Sequence, residues 1–96
     1  MAAYLIADIR VKDPAEFAAY GALATAVVER HGGRYLVRGG QVTRKEGDWS
    51  PSRLVVLEFD SMDAARAFYE SDEYQAILGR RQRSADSDLV FVEGAG

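Results

Sequence analysis

The order in which strand-like and helix-like runs follow one another constrains this chain more than any single motif. Residues 3–11 are apolar at every odd position (Ala3, Leu5, Ala7, Ile9, Val11), the period of a strand with one buried face. A helix then opens on clear punctuation. Asp13 caps it, Pro14 suits the first helical position, and Glu16 stands three residues after Asp13 as in a capping box. Phe17, Tyr20, Ala24, Val27, Val28 and His31 form one stripe, and Gly32 with Gly33 stops the helix. Residues 34–38 read as a strand that continues through Gly39 and Gly40 into residues 41–45; paired glycines in a strand pattern predict a bulge there. Residues 46–52 have the composition of a loop, and residues 53–59 are the strongest strand in the chain. Ser61 or Asp60 caps a second helix carrying Ala65, Phe68 and Tyr69, and Ser71 restarts a short helix with Tyr74, Ile77 and Leu78. A last strand spans residues 88–93, before a flexible tail at 94–96.

The order is β-α-β-β-α-β, without repeat or linker. Right-handed crossovers on it predict an α+β, ferredoxin-like domain over residues 1–96: a four-stranded antiparallel sheet in spatial order 4-1-3-2, with its helices on one face. Composition agrees, since 48% hydrophobic and 28% charged residues suit a globular chain and not a disordered one. The absence of cysteine removes disulfides, thiolate nucleophiles and zinc-thiolate sites together. A net charge of −3 argues against a nucleic-acid partner. No apolar run reaches the roughly 20 residues of a membrane span and no leader pattern opens the chain, so the expected location is the cytoplasm.

Two helices cover only one side of such a sheet. The set expected beneath them is Leu5, Ala7, Ile9, Tyr35, Val37, Val55, Leu57 and Phe59. The opposite face then carries Tyr4, Ile6, Leu36, Leu54 and Val56, with Asp8, Arg38 and Glu58 among them. An antiparallel sheet facing water is normally polar on that side, and this one is not. The expectation is a homodimer formed sheet to sheet.

Charged groups on a face destined for burial need partners or a task. A centred register would set Asp8 and Glu58 as diagonal neighbours about 7–8 Å apart, with Arg38 in reach of Glu58. One reading is an internal or intersubunit salt bridge. The other makes Asp8 or Glu58 a general base of raised pKa, with Arg38 binding an anionic or enolic oxygen. Gly39 and Gly40 serve the bulge, or open backbone amides toward a ligand. Tyr20, Tyr69 and Tyr74 pack the core, or orient a substrate at a cavity mouth. Trp49, beside Pro51, packs its loop, reaches across the partner or lids the cavity, and Arg80, Arg81 and Arg83 form a solvated helix end or capture an anion. His31, the only histidine, is placed by the helix dipole. No metal-binding, phosphate-loop or hydrolase motif occurs, and no cofactor is expected.

The stretches VKDPAEFAAY, GGRYLVRGG, RLVVLEFDSMDAARAFYES and DLVFVEG resemble the DUF1330 family, an uncharacterised branch of the dimeric α/β-barrel superfamily. The resemblance implies a ferredoxin-like protomer whose sheets pack as a dimer around a central cavity. It implies no particular reaction, although wider relatives include cofactor-free monooxygenases, haem-degrading enzymes and small isomerases. One departure is Asp60, in a place where the family usually has proline. Two functions stay open: a cofactor-independent enzyme of acid/base type acting on a small metabolite in the dimer cavity, or a non-catalytic ligand-binding or assembly module.

Overall fold

Strand β1 (Ala3–Val11), helix α1 (Pro14–Arg30), strands β2 (Arg34–Arg38) and β3 (Leu54–Phe59), helices α2 (Met62–Glu70) and α3 (Asp72–Ser84) and strand β4 (Ala85–Glu93) follow in that order in the computed structural model, which describes residues 1–96. The sheet runs β2-β3-β1-β4 with every neighbour antiparallel, the ferredoxin-like 4-1-3-2 arrangement.

Local chemistry sets the helix starts. The Asp13 carboxylate accepts from the Glu16 amide at 3.2 Å and Pro14 occupies the first turn. The Glu16 side chain completes no capping box; it turns instead to Arg80 and Arg83 of α3. Ser61, not Asp60, caps α2 through the Ala64 amide at 3.0 Å, and Ser71 caps α3 through the Tyr74 amide at 3.1 Å. At the end of α1 the chain must pass close to the core. A Cβ on Gly33 would stand 2.7 Å from the Phe59 ring, so only glycine fits.

Beneath the helices Leu5, Ala7, Ile9, Leu57 and Phe59 are buried against Ala24, Val27, Val28, Ala65 and Phe68. Phe59, Phe68, Tyr74 and Tyr20 form a chain of rings, with centroids 5.3, 4.7 and 6.4 Å apart in that order. Each fully buried ring contributes about 1.5–3 kcal/mol of transfer free energy.

Three expectations about the strands need correction. First, β4 starts at Ala85, because Ala85, Asp86 and Ser87 pair with Val11, Arg10 and Ile9 even though their polarity reads as loop. Second, β2 ends at Arg38. The Gly39 amide still donates to the Leu54 carbonyl at 2.8 Å, but its φ of +71° turns the chain away, and residues 41–45 leave the sheet. Third, the bulge lies at Leu36: Tyr35 pairs with Leu57, yet Val37 pairs with Val56. One inserted residue reverses the faces beyond it. Val37 therefore joins the open side and Arg38 the covered side, opposite to the expected placement.

Candidate functional site

On the open face, Tyr4, Ile6, Leu54 and Val56 lie half-exposed beside Val37, Val90 and Val92, and Val90 is 57% exposed. Polar groups mark the two ends of this apolar strip. At one end the Asp8 carboxylate accepts from Trp49 Nε1 at 3.1 Å and from the Ser52 amide at 3.0 Å. The indole bond, followed by that amide, holds the Asp8 pKa below its ordinary value. Arg10 stands 3.6 Å from Asp8 and 3.2 Å from Asp88. At the other end Arg34 places Nε and Nη2 on Glu58 Oε1 at 3.0 and 2.9 Å, while the Tyr4 hydroxyl donates to Oε2 at 3.3 Å.

These two carboxylates do not meet. Asp8 pairs with Leu54 and Glu58 with Tyr4, so four residues of β1, about 13 Å at strand rise, separate them. Arg34 takes the partnership with Glu58 that Arg38 was expected to make, because the Leu36 bulge carries Arg38 to the other face. Asp8, whose pKa is lowered and not raised, acts as an anchor for the loop that carries Trp49.

The enclosed space lies on the covered side. A mostly apolar cavity of about 60 Å³ opens between the sheet and helices α1 and α3, with Leu5, Ile9, Val55 and Leu57 in its wall. Its polar groups come from separate elements. Tyr20 of α1 and Tyr74 of α3 join hydroxyl to hydroxyl at 2.7 Å. Burial pushes the pKa of both upward, so the pair is neutral and works through hydrogen bonds alone. Arg38 reaches the cavity from the end of β2, its Nη2 donating to Thr25 Oγ1 at 2.7 Å and its guanidinium stacked 4.2 Å from the Tyr35 ring centre. Arg53, just before β3, lies across Gly39, where any side chain would collide with its guanidinium. Arg81 of α3 is only 6% exposed. None of these three arginines has a carboxylate within ion-pair distance.

Of the residues singled out in the sequence, Tyr20, Arg38, Tyr74 and Arg81 therefore share the cavity. Gly39 and Gly40 do not line it: Gly39 lies against the Arg53 guanidinium with its amide already bonded to Leu54, and Gly40 stands clear. Tyr69 packs instead on Tyr74 and Phe91, at centroid distances of 5.3 and 5.7 Å. Asp8 and Glu58 face away. No Asp, Glu or His lines the space, and no cluster of such groups is arranged to hold a metal. His31 turns Nδ1 to the Val27 carbonyl at 2.9 Å, at the end of α1. Arg53 is the lining cation that strand periodicity passed over, and of the helix end formed by Arg80, Arg81 and Arg83 only Arg81 lines the space. A signal for Arg81 existed, since Tyr74, Leu78 and Arg81 share one helical stripe.

A family model described as Domain of unknown function (DUF1330) matches residues 2–95. No curated protein matches the sequence. Similar solved structures include the methylated RPA0582 protein, with a TM-score of 0.76 and 21% identity over 99% of this chain and 82% of that one. The same protein is described elsewhere as of unknown function, from Rhodopseudomonas palustris. SnoaB, a cofactor-independent oxygenase from Streptomyces nogalater, is similar at a TM-score of 0.68 and 15% identity, covering 99% of this chain and 94% of that one. A dimeric ferredoxin-like protein of unknown function from Thermobifida fusca is similar at a TM-score of 0.68 and 19% identity, covering 98% and 92%. At these identities the likeness shows the fold alone.

Proposed function

The chain belongs to the DUF1330 family, and on that premise we propose that it acts as a homodimeric small-molecule-binding protein. Each protomer takes its ligand between helices and sheet, and the two open faces pack together. The observation that carries the binding reading is the cavity: an apolar wall into which a neutral tyrosine pair and three unpaired arginines converge. Its volume of about 60 Å³ is well below the 300 Å³ or so of a drug-sized pocket, so it suits a small molecule or one end of a larger one. The dimer is supported by the strip of apolar side chains that this protomer leaves uncovered, and by a relative described as dimeric. Asp8 and Glu58 serve structure in this reading, tying the Trp49 loop and the β2 edge to the sheet.

The absence of any acid, imidazole or thiol from the cavity wall favours binding over general-base catalysis. A cofactor-independent reaction is the second reading, favoured by the fold shared with SnoaB. There the arginines would stabilise an anion generated on the substrate itself. A thermal-shift screen against small metabolites, run beside sedimentation analysis, tests the proposal. A binder raises the melting temperature of the wild type, and the species sediments at twice the 10.6 kDa of the chain. A monomer at micromolar concentration, or a screen without a binder, counts against the corresponding half.

A further inference from the structure

Resting on the cavity as the binding site, we infer that its occupant is a small monocarboxylic acid whose carboxylate docks on Arg81 and Arg53. Arg81 is 6% exposed, and its Nε and Nη1 are buried without a hydrogen-bond partner; Arg53 Nε is in the same state. Both side chains line the cavity. Arginine cannot escape burial by losing its proton, and a buried charge without a counter-charge is expensive to keep. The protomer offers no remedy. All nine of its ion pairs lie elsewhere, and the cavity wall contains no carboxylate.

The missing counter-charge defines the ligand. A guanidinium presents donors in a planar fork that two carboxylate oxygens match in pairs. The Tyr20–Tyr74 pair uses one hydroxyl proton on itself and keeps the other for an acceptor. Arg38 extends the positive lining to the exposed side of the cavity, so an anion meets favourable potential on the way in. Leu5, Ile9, Val55 and Leu57 supply an apolar bed for the rest of the molecule. An aliphatic or small aromatic acid brings the counter-charge this lining lacks; a neutral molecule of the same shape leaves the guanidinium groups unpaired.

The test titrates the full, isotope-labelled chain with isobutyrate and with isobutyramide, which share a carbon skeleton and differ in charge. Isobutyrate is expected to bind about tenfold or more tightly, the size of a charge-assisted hydrogen bond against a neutral one. The Nε–H resonances of Arg81 and Arg53 shift as the acid saturates the site. Arg81→Met abolishes the preference for the acid, and without ligand it melts above the wild type, since a lone buried charge has been removed. Should that variant fail to fold, Arg53→Met carries the same comparison and weakens the preference. Equal affinity for acid and amide, or an acid preference that survives these substitutions, overturns the assignment and leaves the cavity as a binding site. Binding of neither probe overturns the cavity reading as well.

Discussion

On the open side of the sheet the charged strand residues find opposite charges within the protomer: Glu58 has Arg34, Asp8 and Asp88 share Arg10, and Asp86 has Lys12. On the covered side Arg38, Arg53 and Arg81 find none, although Arg81 is by far the most deeply placed cation. Exposed pairs are worth about 0–1 kcal/mol each, so the open-face pairs matter less for stability than for what they leave behind, a strip whose centre is apolar. A surface whose end charges are paired and whose middle is apolar suits a second protein surface. A largely apolar cavity lined by one sign of charge suits a small ion of the other sign. The same four strands thus present two surfaces of opposite chemistry, and their assignments can be broken separately.

The largest expected effect is on the covered side, where Phe68 is fully buried among Phe59, Tyr74 and His31. Phe68→Ala is expected to destabilise the fold by about 3–5 kcal/mol in urea titrations; a loss under about 1 kcal/mol would mean that the helices do not seal that face. Next comes the centre of the open side. Val56→Asp sets an unpaired carboxylate in the strip and is expected to convert the proposed dimer to a 10.6 kDa species in sedimentation, while the protomer stays folded. If the variant still sediments as a dimer, the open face is not the interface. Smaller again is Tyr20→Phe, which leaves the Tyr74 hydroxyl without its 2.7 Å partner. About 1–3 kcal/mol should be lost, and Tyr74→Phe in the same chain should recover much of it, because removing both hydroxyls leaves nothing unsatisfied. A double variant as unstable as the single one would show that the pair packs and does not bond.

Which of these surfaces was readable in advance follows from how each is encoded. Leu5, Ala7 and Ile9, with Val55, Leu57 and Phe59, alternate regularly, and alternation survives any uncertainty of register, so the covered core was legible. The caps at Asp13 and Ser71 were legible because a side chain meets an amide three residues away. Leu36 carries no local mark of a bulge; the insertion exists only in its pairing with β3, and it decides which way Arg38 points. The separation of Asp8 from Glu58 was hidden for the same reason, as register belongs to two strands and not to one. Arg81 was named in the sequence, as part of a solvated helix end or an anion-capturing group, and what stayed hidden was its depth. Arginine in the last turn of a helix ordinarily faces water, and only the stripe it shares with Tyr74 and Leu78 hinted that this one does not.

The subtlest distinction between the two sides concerns protons. On the covered side burial raises the pKa values of Tyr20 and Tyr74, which keeps that pair neutral in acid. On the open side Asp8 is held below its ordinary value of 3.8, first by the Trp49 indole and then by the Ser52 amide. A carboxylate whose folded pKa is depressed contributes stability that is fully present above its unfolded value and is lost as pH falls through the folded one. Acidification below pH 3.8 should therefore release the loop that bears Trp49, and the 61% exposed indole should report the change in its fluorescence. Asp8→Asn should remove this acid transition and weaken the loop already at neutral pH, because the amide cannot give the indole an ionised acceptor. Carboxylate binding at Arg81, tested above the pKa of the probe, should be unaltered in that variant. If Asp8→Asn instead weakens acid binding as much as Arg81→Met does, the two faces are coupled through the loop, and their chemistry cannot be assigned to separate tasks.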